Sequence, residues 1–205
     1  MKRLIVVIVA SVFALKSYSQ TVTIGAQVWM TKNLNVSTFR NGDPIPQAKT
    51  DDEWLKAGLN KQPAWCYYNN NPANGAKYGK LYNWYAVSDS RGLAPVGYHI
   101  PSDAEWTILT DYLGGEEKAG AKMKSKQGWA EDGNGTNSSG FSGLPGGYRY
   151  SNGTFHDIGK YGDWWSSTEF TTTNACFRDL YYDSGNVFRF SHFKGEGFSV
   201  RCLRD

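Results

Sequence analysis

The chain has 205 residues, and its 22 basic and 19 acidic side chains give a formal net charge of +3. Lys2, Arg3 and Lys16 lie in the first 19 residues, so residues 20–205 are formally neutral. A nucleic-acid partner is therefore not expected, because such binders carry excess positive charge that neutralises phosphates. The chain has one basic cluster, which we interpret as a solvated helix face: Lys118, Lys122, Lys124 and Lys126.

The N-terminus has the pattern of a secretory signal. Lys2 and Arg3 precede an apolar run from Leu4 to Leu15, and small residues follow at positions 17 and 19. This order predicts removal of residues 1–19 and export to the periplasm, cell surface or medium. The run is too short for a membrane-spanning helix, and none is expected elsewhere. Residues 20–205 then suit a single domain.

Three local patterns predict the first elements. Residues 22–30 alternate apolar and polar side chains across Gly25, which predicts a strand or a tight hairpin. Residues 50–58 are predicted to form a short helix, because Thr50 and Glu53, three positions later, have the spacing of a capping box. A second capping box, Ser102 with Glu105, opens a stronger helix whose core stripe is formed by three residues: Trp106, Leu109 and Leu113.

Beyond Gln127 the composition changes to Gly, Asn, Ser and Thr with short aromatic runs. Helix signals are few, and five short runs between 148 and 203 read as strands. The chain is therefore predicted to be an α+β domain with two or three short helices, a small antiparallel sheet and long loops. Trp164 and Trp165 should point in opposite directions within a strand.

The cysteines leave two alternatives open. Cys176 and Cys202 lie in strand-like runs that could be neighbours, so they could form one disulfide in an exported protein. They could equally be buried thiols that act as small core side chains. The dispersed Cys and His residues do not show zinc-ligand spacing.

Seven ordered motifs carry a family resemblance: WMTKNLN, WCYYNNNP, YGKLYNWYAV, GYHIPSDAEW, GFSGLPGGYR, WWSSTE and GFSVRCLRD. With these motifs the chain resembles the Fibrobacter succinogenes major paralogous domain over nearly all of residues 20–205. The resemblance implies a bacterial, exported protein and assigns no activity.

A more distant resemblance concerns the fold. Pro101, Ser102 and the Ala-Glu-Trp triplet at 104–106, with Gly197, Phe198 and Arg201, are similar to positions of the formylglycine-generating and sulfatase-modifying superfamily. That resemblance implies a C-type lectin-like fold in which both chain ends meet in one sheet. It also offers an alternative function, a degenerate or unrecognised enzyme of that superfamily. The oxidising members use two nearby cysteines, whereas Cys176 and Cys202 are 26 positions apart.

Aromatic and arginine residues in the C-terminal half predict a ligand surface. Aromatic faces stack on sugars or partner side chains, and guanidinium groups offer planar donors. Arginines are rarely buried without a partner, which favours exposed positions for them; pairing with Asp179, Asp183 or Glu196 is the alternative. The predicted ligand-binding residues are Arg149, Tyr150, Trp165, Arg178, Tyr181, Arg189 and His192.

No catalytic motif is recognisable, and no cofactor is expected. The oxygen-rich loop at 131–137 could hold calcium, but ordinary turn chemistry explains its composition better. We therefore predict a secreted, non-catalytic binding or adhesion module that recognises an extracellular glycan or protein through its C-terminal half. A purely structural surface protein is a further alternative.

Overall fold

A small antiparallel sheet joins the first and last strands of the part of the chain that the structure describes. The computed structural model describes residues 20–205, so the predicted signal segment lies outside the described part. The first hairpin turns at Gly25, whose φ of +62° suits glycine. The last strand of the chain pairs with the second strand of this hairpin through Leu203 and Trp29. The sheet has the order β1-β2-β11-β5 and consists of β1 (Thr21–Ile24), β2 (Gln27–Met30), β5 (Tyr98–His99) and β11 (Leu203–Arg204).

A second, three-stranded sheet forms the C-terminal half in the order β8-β9-β10. Its antiparallel strands are β8 (Tyr161–Glu169), β9 (Asn174–Tyr181) and β10 (Phe188–Phe193). Two further antiparallel pairs complete the strands of residues 20–205: β3 (Trp65–Cys66) with β4 (Leu81–Tyr82), and a short hairpin of β6 (Tyr148–Arg149) with β7 (Phe155–His156). These strands confirm the α+β class.

Five α-helices lie within residues 20–205: α1 (Asp51–Leu59), α2 (Pro72–Tyr78), α3 (Trp84–Val87), α4 (Asp103–Tyr112) and α5 (Glu116–Met123), with a 3₁₀ turn at Tyr68–Asn70. The prediction of two or three helices was therefore too low. Both predicted capping boxes are present, at the starts of α1 and α4. Not one of the helices in this part of the chain is long and apolar enough to span a membrane.

The two adjacent tryptophans of β8 connect separate core clusters. Trp164 packs in a cluster with the α4 stripe of Trp106 and Leu109, whereas Trp165 packs on the other side of the sheet with Phe177 and Phe198. Both indoles are fully buried. The predicted opposite orientations are confirmed, and both faces of the sheet are covered because hydrophobic elements pack on each.

The basic cluster around α5 is only partly solvated. Lys118 and Lys126 are exposed as predicted. Lys124 is buried instead, and its Nζ donates hydrogen bonds to the carbonyl oxygens of Tyr181 and Tyr182. Burial lowers the pKa of Lys124. This lysine therefore connects the segment after α5 to the end of β9 and does not face solvent.

Candidate functional site

An aromatic pocket opens between the three-stranded sheet and the β6–β7 hairpin. Its cavity is about 270 Å³. The strand period of two places alternate residues of β8, β9 and β10 on the same side, so each strand contributes side chains to it. The aromatic walls are Tyr148, Tyr150, Tyr161, Phe177, Tyr181 and Phe190.

The aromatic rings of the walls support one another. Tyr181 stacks between Tyr161 and Phe188, with ring centroids 4.6 and 4.5 Å away. On the hairpin side, the Tyr150 ring meets the His156 ring edge-on at 4.8 Å. Such contacts stabilise aromatic pairs beyond simple area burial. The walls are therefore held in defined orientations before any ligand enters.

Two carboxylates face each other at the floor of the pocket. Asp163 of β8 and Asp179 of β9 are direct cross-strand partners, and both are almost completely buried. Burial and the neighbouring charge raise the pKa of Asp163 well above its usual range, and burial raises that of Asp179 to about 7. Adjacent buried carboxylates cannot both ionise readily, so the pair shares a proton near neutral pH.

A third carboxylate, Glu196, enters the pocket from the loop after β10. It is 1% exposed, and its Oε2 lies 2.9 Å from Nδ1 of His192. The hydrogen bond to Glu196 raises the pKa of His192, whereas burial raises the pKa of Glu196. The two groups form a charge-assisted pair when His192 is protonated.

Each of the three carboxylates retains an unsatisfied oxygen. Asp163 Oδ2, Asp179 Oδ1 and Glu196 Oε1 are buried without a hydrogen-bond partner. A buried polar atom without a partner costs about 1–3 kcal/mol. A proton shared by Asp163 and Asp179 supplies a hydrogen bond within that pair, whereas a ligand that donates hydrogen bonds would satisfy Glu196 and the remaining acceptors of these three lining residues.

A larger, more polar groove of about 590 Å³ lies elsewhere on the domain and is lined in part by Lys32, Lys77 and Lys126. None of the unsatisfied buried side-chain atoms within residues 20–205 lines it. The groove has the larger volume, but the buried carboxylate oxygens without a hydrogen-bond partner belong to residues that line the aromatic pocket. We therefore take the aromatic pocket as the candidate site, because its chemistry calls for a ligand.

The sequence matches a known protein family. A family model described as the Fibrobacter succinogenes major domain matches residues 22–204. The chain belongs to this family. No curated protein and no solved structure matches the chain.

Three of the seven predicted ligand-binding residues of this major domain meet in the pocket: Tyr150, Tyr181 and His192. Tyr150 is among the more exposed of the lining residues and forms part of the rim. The other two stand on β9 and β10, where the strand alternation directs them to the same side as Phe177.

The prediction that Arg149 reaches the surface was wrong. Its side chain is fully buried and donates to the carbonyl oxygens of Gly153, Ala48 and Thr50 and to Asp51 Oδ1. A guanidinium can be buried when its donors are satisfied in this way. Arg149 therefore holds the β6–β7 hairpin against the start of α1.

The other two arginines of this major domain converge on Asp103 at the start of α4. Arg178 is buried, with Nη1 2.6 Å from Asp103 Oδ1, and Arg189 is half-exposed, with Nη2 2.7 Å from Asp103 Oδ2. Exposure of Arg178 was wrongly predicted, and neither arginine lines the pocket. Ion pairing, the alternative considered for these arginines, is what the structure shows, but their partner is Asp103 and not one of the three acids expected from the sequence.

Trp165 is likewise not available to a ligand. Its indole is fully buried, and Nε1 donates to the carbonyl oxygen of Tyr82 at 2.8 Å. Ring contacts to Phe198 at 4.3 Å place it beneath the pocket. Trp165 thus supports the floor without reaching the cavity.

The sequence interpretation missed the acids of the pocket. Asp179 and Glu196 were considered only as partners for arginines, and Asp163 was not considered. A signal was present in the strand alternation, because Asp179 shares a face with Phe177 and Tyr181. Its aromatic neighbours on that face are typical of the interior, whereas a carboxylate there is unusual and therefore informative.

Cys66, Cys176 and Cys202 are buried free thiols, so the structure has no Cys176–Cys202 disulfide. Cys176 lies in β9, whereas Cys202 directly precedes β11 in the other sheet. Burial raises the pKa of Cys66 and Cys202 to about 12 and also raises that of Cys176. Such thiols are poor nucleophiles because little thiolate is present at neutral pH.

The 131–137 loop uses its amide side chains internally. Asn134 Oδ1 accepts from the Trp129 backbone N–H, and Asn137 bonds both the backbone and hydroxyl of Ser142. Over residues 20–205, no group of three or more His, Cys, Asp and Glu side chains is arranged to hold a metal ion. Turn chemistry accounts for these contacts.

Replacing the Asp179 carboxylate should remove the free-energy cost of ionising a buried acid at the pocket floor. The folded pKa of Asp179 is about 7, above its usual 3.8, so its contribution to stability is present at low pH and is lost as pH rises from about 4 through 7. Asp179→Asn should therefore increase the free energy of unfolding by about 1–3 kcal/mol at pH 8 and change it little at pH 4. Urea denaturation at both pH values measures this difference. Exposed Asp111→Asn is the matched control, and a larger gain at pH 4 than at pH 8 would contradict the expectation.

Proposed function

We propose that this major domain is a secreted, non-catalytic binding module that recognises an extracellular glycan or protein through the aromatic pocket of its C-terminal half. The three unsatisfied carboxylate oxygens in an aromatic cavity carry the proposal. Apart from the proton that Asp163 and Asp179 share, these acceptors have no donor, and hydroxyl or N–H groups of a ligand supply the missing ones. The aromatic walls offer the stacking surface that sugar rings and side chains use.

We further propose a C-type lectin-like architecture for the domain. The pairing of β11 with β2 supports it, because the first and last strands of residues 20–205 then belong to one sheet. The long excursion between them carries the candidate pocket. Ligand sites on irregular segments held by a rigid scaffold are common in proteins.

The enzyme alternative draws less support from the side chains. Thiol chemistry of the formylglycine-generating kind needs an accessible thiolate, and the buried cysteines have raised pKa values. The shared proton of Asp163 and Asp179 is the one feature that favours catalysis, since perturbed carboxylates also serve as acids and bases. Release of product from a bound glycan would identify such an enzyme, and binding without turnover identifies the module.

A Tyr150→Ala variant tests the pocket directly. Its ring forms part of the rim and contacts His192 and His156, so its removal should weaken ligand binding by about 1–2 kcal/mol and leave the melting temperature nearly unchanged. Binding is measured on glycan arrays and cell-wall fractions, with titration calorimetry on the hits. Tyr112→Ala, an exposed aromatic change on α4, is the control. Equal affinities of wild type and Tyr150→Ala, or loss with Tyr112→Ala alone, would rule out this pocket.

A further inference from the structure

The charges that face the pocket are predominantly negative. Asp163, Asp179 and Glu196 line it from β8, β9 and the loop after β10, and Asp157 adds a negative field from the end of the β6–β7 hairpin. No Lys or Arg lines the cavity in the described part of the chain. His192 lies against Glu196 and matches its charge when the imidazole is protonated. One negative charge of the Asp163–Asp179 pair is therefore left without a cation.

The geometry of the acceptors fits a positively charged nitrogen. An ammonium group carries three donors and no acceptor, and the two aspartates offer carboxylate oxygens for which their shared proton is the one donor within the pair. Aromatic faces attract cations most strongly in desolvated sites, and the cavity has tyrosine and phenylalanine walls. A neutral sugar would satisfy the oxygens with hydroxyl groups but would leave the buried charge uncompensated.

The tyrosine hydroxyls of the pocket favour a sugar ring over a linear amino-acid side chain as the ligand. Four tyrosines line the cavity: Tyr148, Tyr150, Tyr161 and Tyr181. Tyrosine hydroxyls both donate and accept, which matches the several hydroxyls of a sugar and exceeds the needs of a lysine side chain. The cavity of about 270 Å³ lies just below the range of sites for drug-sized ligands. It is therefore suited to a single ring.

We infer that the pocket binds an amino sugar whose amine is free and positively charged, as in a deacetylated hexosamine of an extracellular glycan. This inference rests on the proposed binding function and names its ligand class. The ammonium lies against the Asp163–Asp179 pair, the ring stacks on the aromatic walls, and the ring hydroxyls bond Glu196 and the tyrosines. Binding the cation stabilises the ionised aspartates and lowers the pKa at which the shared proton leaves, so net proton release is expected near that pKa.

The test compares a glucosamine tetrasaccharide with its fully N-acetylated counterpart by titration calorimetry at about pH 5.5, where the sugar amines are protonated. We expect the free-amine sugar to bind at least tenfold more tightly and to release a proton, read from titrations in buffers of different ionisation enthalpy. Asp163→Asn and Asp179→Asn should each remove that preference and the proton release. Tyr112→Ala should retain both, and circular dichroism confirms folding of each variant.

The other outcomes separate the inference from the proposed function. Equal binding of the two sugars, with loss in Tyr150→Ala, would overturn the charge assignment and leave the glycan module intact. Binding of Nα-acetyl-lysine methyl amide in place of glucosamine would overturn the amino-sugar assignment in favour of a protein ligand. Binding of none of these probes would falsify the inference, and the comparison of wild type with Tyr150→Ala on glycan arrays and cell-wall fractions then decides the proposed function separately.

Discussion

Trp106→Ala should lower the free energy of unfolding by about 3–5 kcal/mol, the cost of removing a large aromatic side chain from a well-packed core. Trp106 is fully buried. Its ring centroid lies 4.8 Å from that of Trp29 and 5.8 Å from that of Phe141. The cavity would therefore open where α4 meets the sheet that joins the chain ends. Urea denaturation monitored by circular dichroism measures the loss.

Two milder variants separate this packing effect from helix capping. Ser102→Ala should cost about 1 kcal/mol, because the Ser102 hydroxyl accepts one N–H of the first turn, that of Glu105. Trp106→Phe retains most of the packing and removes an indole N–H that has no partner, so it should cost less than alanine. A wild-type melting temperature for Trp106→Ala would show that α4 is not docked as described.

Arg178→Ala should destabilise the domain by about 2–4 kcal/mol and leave ligand affinity unchanged. The buried guanidinium donates to Asp103 Oδ1, to the Asp103 carbonyl oxygen and to Thr107 Oγ1. Its loss removes this donor from the last two atoms beneath α4 and leaves the half-exposed Arg189 as the ionic partner of the Asp103 carboxylate. Parallel denaturation and binding titrations measure both quantities on the same protein.

Arg189→Ala is the matched control, because Arg189 contacts the same Asp103 carboxylate from a half-exposed position. Exposed ion pairs contribute little, so the cost should stay below about 1 kcal/mol. The comparison tests whether the arginines of β9 and β10 serve the scaffold. A loss of affinity in Arg178→Ala at unchanged stability would instead place that residue in recognition.

Helices α2 and α5 show how weak a local helix signal can be: α2 was not predicted, and α5 was expected only as a helix face around its lysines. Each contains a glycine in its interior, which weakens the local helix signal. In the fold these glycines allow close approach, because a side chain at Gly75 would meet the Tyr67 ring and one at Gly120 would meet the Asn186 carbonyl. Their helical conformation therefore depends on tertiary packing, which local propensity does not report.

The sequence by itself determined the features that depend on near neighbours along the chain: the capping boxes at Thr50 and Ser102, the hairpin at Gly25 and the two faces of β9. Only the tertiary structure decided which charged groups meet. Arg178 and Asp103 are 75 positions apart and yet form an ion pair. Asp163 and Asp179 become partners through strand register. Burial and charge pairing depend on distant elements packing together, so alternation predicted which residues share a face but not that the arginines would be buried and three acids would line the pocket.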